Sequence, residues 1–130
     1  MPLDTEAIVA IQQLYAAYCH TLDDGDGDAF SACFTYDGTL GGAGGTIAGA
    51  EALAQFATKL LASGRNLRHV ASGIYVVGDG DGDEAEGRAY LMAYHGGTST
   101  ELLASGRYRD RLRRVEGTWR FAERVFIPDA

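Results

Sequence analysis

The stretch LRHVASGIYVVGDGDGDEAEGRAYLMAYH, residues 67–95, decides the fold. Before it the apolar positions recur with helical spacing except in the Gly-rich segment 35–49, and from Leu67 onward they alternate. Val70, Ile74 and Val76 share one face of a strand over 67–78, and His69, Ala71, Gly73, Tyr75 and Val77 share the other. Gly87, Ala89, Leu91, Ala93 and His95 line up along one face of a second strand over 84–96. The run DGDGD between them, 79–83, has the composition of a polar hairpin loop. Turns at 96–100 and 115–118 then separate strands over 102–115 and 118–126.

The residues before this stretch read as helices. Ile8, Ile11, Tyr15, Tyr18, Cys19 and Leu22 form a stripe of 3.6 periodicity, with Asp4 or Thr5 as the cap. A short second helix over 27–34 buries Phe30, Cys33 and Phe34. The Gly-rich segment 35–49 suits two short strands around a loop, with Leu40 and Ile47 inward, and 50–63 forms a third amphipathic helix stopped by Gly64. Three helices with a meander of long strands predict one α+β domain over residues 1–130, a curved antiparallel sheet carrying helices on one face.

Composition narrows the function. The chain has 130 residues, 46% hydrophobic and 22% charged, with a net charge of −7. An acidic balance argues against nucleic acid and anionic membranes, which select basic faces. No apolar run is long enough to span a bilayer, and the first residues lack the basic and apolar regions of a signal peptide. Cys19 and Cys33 are the only cysteines and read as buried free thiols of a cytoplasmic protein. A zinc site from Cys19, His20 and Cys33 lacks supporting ligand spacing.

Two acidic runs, LDDGDGDAF (22–30) and GDGDGDEAE (78–86), invite a calcium reading. An EF-hand loop needs Gly at position 6 and Glu at position 12. Counted from Asp24 these are Ala29 and Thr35; counted from Asp79 they are Glu84 and Tyr90. No metal site is expected. Asp23 stands apart from the loop aspartates: it follows Leu22 at the end of the helical stripe, where the helix dipole disfavours a carboxylate and an inward one needs a partner.

Two of the three histidines are candidates for that partner, since His20 falls opposite the apolar stripe. His69 and His95 each share a strand face with small residues, which leave room for a pocket. On the next strand Arg107, Arg109, Arg111 and Arg113 mark the outward face, so Tyr108 and Asp110 point toward the pocket.

Taken in order, IQQLYAAYCHTLDDGDGDAFSACFTYDG, RHVASG and GRYRDRLRRVEGTWRFAER resemble the SnoaL-like branch of the NTF2-like superfamily, with spacing similar to scytalone dehydratase. The resemblance implies helices on a strongly bent sheet enclosing an apolar pocket. It also implies an Asp after the first helix that holds a His on the first long strand, with a second His on the neighbouring strand. The matching positions are Asp23, His69 and His95. A haloalkane-eliminating relative is similar in the first two only. Scytalone dehydratase has two tyrosines that bind a water at the substrate carbonyl; Leu22 and Gly42 stand at those positions, so a different substrate is implied.

The expected chemistry is a cofactor-independent dehydration or isomerisation of a small cyclic, polyketide-like or aromatic-precursor ketone. His69 removes a proton, Asp23 orients it, and His95 with Tyr18 or Tyr108 meets the developing enolate. Tyr18, Phe34, Tyr75, Leu91 and Tyr108 are the expected substrate contacts. A SnoaL-type cyclase closing a ring by aldol chemistry, and a binding domain without catalysis, are the rival readings. The arginine ladder suits a solvated face or a subunit interface, and a homodimer is favoured.

Overall fold

Helix α1 (Thr5–Asp24) starts where Asp4 accepts a hydrogen bond from the Ala7 N–H at 2.8 Å and ends at the Gly25 cap. Asp26 then caps α2 (Gly27–Ala32) through the Ala29 N–H at 3.2 Å. The computed structural model describes residues 2–79, 82–97 and 100–130. The second helix is shorter than the sequence suggests, because Phe34 already pairs with Phe121 as the first residue of a strand. That strand, β1 (Phe34–Gly42), turns back through β2 (Gly45–Ala48), and α3 (Ala50–Ala62) follows. The meander comprises β3 (Leu67–Gly78), β4 (Glu84–His95), β5 (Glu101–Val115) and β6 (Thr118–Pro128). The turns expected at 79–83 and 96–100 lie partly outside the described residues.

The strands form one curved, unclosed sheet in the order β2-β1-β6-β5-β4-β3. Only β1 and β6 run parallel; every other pair is antiparallel. Helix α1 lays its apolar stripe on the inner face, where Ile11, Tyr15 and Tyr18 meet Ala85, Ala89, Leu112 and Phe121 in one core. Each fully buried large side chain there contributes roughly 1.5–3 kcal/mol. Gly87 permits this close approach, since a Cβ on it would collide with the Tyr15 hydroxyl.

A bulge in β3 re-aims half of that strand. Pairing with β4 runs from Leu67 to Ser72 and resumes one residue out of step at Tyr75. Gly73 takes a φ of +60° at the shift, and a Cβ there would strike the Tyr90 ring at 2.6 Å. Beyond it the even residues Ile74 and Val76 pack on the core, while Tyr75 and Val77 turn outward. No helix among the described residues is long and apolar enough to cross a membrane.

Candidate active site

Asp23 occupies the last turn of α1, the negative end of the helix dipole. Its carboxylate is compensated from β3. Oδ1 lies 2.5 Å from His69 Nδ1, and the two oxygens accept from the His69 backbone N–H at 3.2 and 3.0 Å. Arg68 Nε stands 3.9 Å from Oδ2 on the solvent side. The His69 and Asp23 side chains are only 10% and 13% exposed. A carboxylate at Nδ1 selects the tautomer protonated there and leaves Nε2 as the basic nitrogen.

His69 borders a cavity of about 420 Å³ between the helices and the sheet, within the range of small-molecule sites. Tyr18 and Leu22 of α1, Leu91 and Ala93 of β4, and Tyr108 of β5 form its interior wall. The glycines of the β1–β2 hairpin and Arg65 from the loop before β3 border it as well. On the far side of His69 lies a more polar groove between α1 and β3, lined by Asp23, His20 and Arg68. The Asp23–His69 pair thus stands between an apolar chamber and a polar groove.

Behind Tyr18 and Tyr108 lies a buried ion pair that the sequence analysis did not assign. Arg124 is 0% exposed and donates from Nε to Asp110 Oδ1 at 2.9 Å and from Nη2 to Oδ2 at 3.3 Å. Tyr15 donates its hydroxyl to the same carboxylate. The guanidinium carbon lies 3.4 Å from the Tyr108 ring centroid and 4.3 Å from that of Tyr18, and Nη1 has no hydrogen-bond partner among the described residues. Burial lowers the Arg124 pKa, but Asp110 and the tyrosines outweigh it and keep the group charged. Burial pushes the Tyr18 hydroxyl up to about 12 against the opposing pull of Arg124, and raises Tyr108 well above its ordinary value. Both hydroxyls are therefore neutral donors at physiological pH. The inward-pointing Asp110 was the available signal, because a buried carboxylate requires a cation. No inward face of β6 was assigned from the sequence; the strand slips register between Phe121 and Glu123, which moves its inward face from odd to even positions and brings Arg124 inside.

Asp23, His69, Tyr18, Leu91 and Tyr108 gather around the His69 side of the cavity or its backing groove. Three expected positions need correction. His95 is the last residue of β4, exposed and absent from the cavity wall. Tyr75 is 57% exposed on the outer face, flipped there by the Gly73 bulge. Phe34 is buried among Tyr18, Phe30 and Phe121 and reaches the core, not the cavity. Leu22 and Gly42, the positions matched to the two tyrosines of scytalone dehydratase, both border the cavity.

Comparison with known proteins agrees with this architecture. The family model of the SnoaL-like domain matches residues 4–125. No curated protein matches the chain. A variant of Rv3472 from Mycobacterium tuberculosis, a protein of unknown function, shares 35% identity with a TM-score of 0.86, over 95% of this chain and 72% of its own. A protein of unknown function with a cystatin-like fold from Nostoc punctiforme shares 28% identity with a TM-score of 0.89, over 99% and 96%. A Novosphingobium aromaticivorans protein, whose assignment as a scytalone dehydratase is provisional, matches at 23% identity and a TM-score of 0.77, over 95% and 85%; that likeness speaks for the fold alone. With the model covering nearly the whole chain and the cavity framed by helix and bent sheet, this protein belongs to the SnoaL-like domain family of the NTF2-like, cystatin-like fold.

Proposed function

We propose that the chain is a lyase or isomerase that needs no cofactor and acts on a small cyclic, polyketide-like or aromatic-precursor ketone. One observation carries the reading: a histidine gripped by a carboxylate at Nδ1, which leaves Nε2 as the basic nitrogen, borders an apolar cavity. A carbonyl acidifies the adjacent C–H, so a positioned base and hydrogen-bond donors suffice. His69 Nε2 takes the α-proton, and Asp23 stabilises the imidazolium that forms. With His95 outside the cavity, we assign the enolate's hydrogen bonds to the neutral hydroxyls of Tyr18 and Tyr108. The enolate then expels a β-hydroxyl, which leaves as water with the proton returned by the His69 imidazolium, or, where a β,γ-double bond extends it to a dienolate, takes that proton back at the γ-carbon.

The probe 3-hydroxy-1-tetralone tests this, since loss of water yields 1-naphthol, which is readily followed by fluorescence. The expected result is release above the buffer rate, lowered about 10²–10⁴-fold by His69→Gln. Failure of the wild-type protein to form 1-naphthol would contradict the lyase reading.

We also assign the uncovered sheet face to a second copy of the chain. Tyr75 and Tyr90 are 57% and 53% exposed there, with Arg88 and Arg107 stacked over their rings at 5.4 and 5.5 Å. Beside them Arg111 meets Glu86 and Asp79, each at 3.4 Å, so both charge signs occur on one self-complementary surface. Sedimentation is expected to show a dimer that Tyr90→Glu dissociates; a monomeric wild type would refute the assignment.

A further inference from the structure

We infer that the substrate carries an anionic group, a carboxylate or its like, held by Arg65 at the cavity while its ring lies against the apolar wall. This rests on the reading of the cavity as the reaction site.

The first argument is charge. Among the described residues, Arg65 is the only permanently charged one bordering the cavity, and no aspartate or glutamate borders it. The buried guanidinium behind the wall adds little net field, because Asp110 neutralises Arg124 directly. Nor is the positive character a by-product of a basic protein, since the net charge is −7. Asp23, the carboxylate held on His69, borders the polar groove rather than the cavity; more distant acidic groups are screened beyond about 8 Å at physiological ionic strength, so Arg65 is the cation that an anion in the cavity meets.

The second argument is availability. Arg68, Arg111, Arg113, Arg114 and Arg124 each meet a carboxylate. Among the described residues no carboxylate forms an ion pair with Arg65. A guanidinium at an apolar chamber without an internal partner suits an external one, and its fork matches a carboxylate in two-pronged fashion.

The third argument is placement. The next residue, Asn66, is clamped to the end of β4: its side chain donates to the Gly96 carbonyl at 2.7 Å, and its own carbonyl accepts from the Gly96 N–H at 2.8 Å. Asn66 holds a left-handed φ of 48°, which turns the chain into β3. The base of Arg65 is therefore fixed. His69 follows four positions later in the chain, so the two Cα atoms lie within about 14 Å. One or two fused rings with a short acidic arm span the distance from base to guanidinium.

The test uses two ligands of similar shape and different charge, 2-naphthoate and 2-acetonaphthone, titrated calorimetrically against the whole chain. Wild type is expected to bind the naphthoate about fivefold more tightly or better. Arg65→Gln should abolish that preference and leave acetonaphthone affinity unchanged; Arg65 is exposed, so the fold tolerates the change. His69→Gln should retain the preference. Equal affinities in wild type, absence of naphthoate binding, a preference that survives Arg65→Gln, or one lost instead in His69→Gln would each overturn the assignment. No proton moves in this assay, so a wrong base assignment leaves the preference intact. A wrong Arg65 assignment leaves the tetralone reaction of His69 intact.

Discussion

Asp23 grips His69 twice, through the Nδ1 ring nitrogen at 2.5 Å and through the backbone N–H of the same residue at 3.0 and 3.2 Å. The backbone contact fixes where β3 starts relative to the end of α1, and the ring contact fixes the imidazole within that frame. One carboxylate thereby joins helix to sheet and orients the proposed base.

The first prediction concerns the tautomer. Long-range ¹⁵N–¹H spectra should show neutral His69 protonated at Nδ1, and Asp23→Asn should convert it to a mixture or to the Nε2 form. Asp23→Asn should also lower turnover by about 10²–10⁴-fold. A His69 already protonated at Nε2 in wild type would place the lone pair on the wrong side for chemistry in the cavity.

The second prediction separates cavity residues from those the sequence analysis placed there. Tyr108→Phe removes a donor bordering the cavity and should cost about 10²-fold in turnover with little change in KM. His95→Ala and Tyr75→Ala, at exposed positions outside the cavity, should alter kcat/KM by less than about twofold.

Much of this site was legible in the sequence, and the parts that were not share a cause. The stripe on α1 and the awkward position of Asp23 followed from helical periodicity and the dipole. The need of an inward carboxylate for a partner left His69 and His95 both open, and the choice of His69 came from the resemblance to scytalone dehydratase. Strict alternation failed wherever a strand carried an extra residue. The bulge at Gly73 turned Tyr75 outward, and the slip in β6 turned Arg124 inward. Neither Gly73 nor Ala122 marks a bulge unambiguously in sequence, since a single glycine or alanine also fits a regular strand. His95 was misplaced at a strand end: it is the exposed last residue of β4, beyond a register shift between Ala93 and Tyr94, and is not part of the cavity wall.

The third prediction follows from the buried ion pair. Arg124→Met leaves the buried Asp110 carboxyl without its cation, and Asp110→Asn leaves Arg124 without its anion. Each single change should lower unfolding stability by about 3–5 kcal/mol. The double variant should lose less than the sum, a coupling measurable by urea denaturation. Strict additivity would show that the two groups do not act as a pair.

The fourth prediction concerns alkaline pH. Burial raises Tyr15 and Tyr108 far above their ordinary value and Tyr18 to about 12. The folded pKa exceeds the unfolded value of about 10, so the folded state holds protons that the unfolded chain gives up. Their stabilising contribution is complete below pH about 10; that of Tyr18 is lost as pH rises through about 12, and those of Tyr15 and Tyr108 only at higher pH still. Absorbance at 295 nm should show that these three of the seven tyrosines ionise only as the protein unfolds. Ionisation of all seven before any loss of circular dichroism would contradict it.

The proposal that His69 removes a carbon-bound proton is tested most directly by isotope exchange at the α-carbon of 1-tetralone in D₂O, followed by ¹H NMR. This readout needs only the proton-removal step, whatever reaction follows. The account predicts that the wild-type chain accelerates loss of the C2 proton signal and that His69→Gln slows the exchange by about 10²–10⁴-fold. Exchange by His69→Gln as fast as wild type, or no acceleration by wild type, would contradict it.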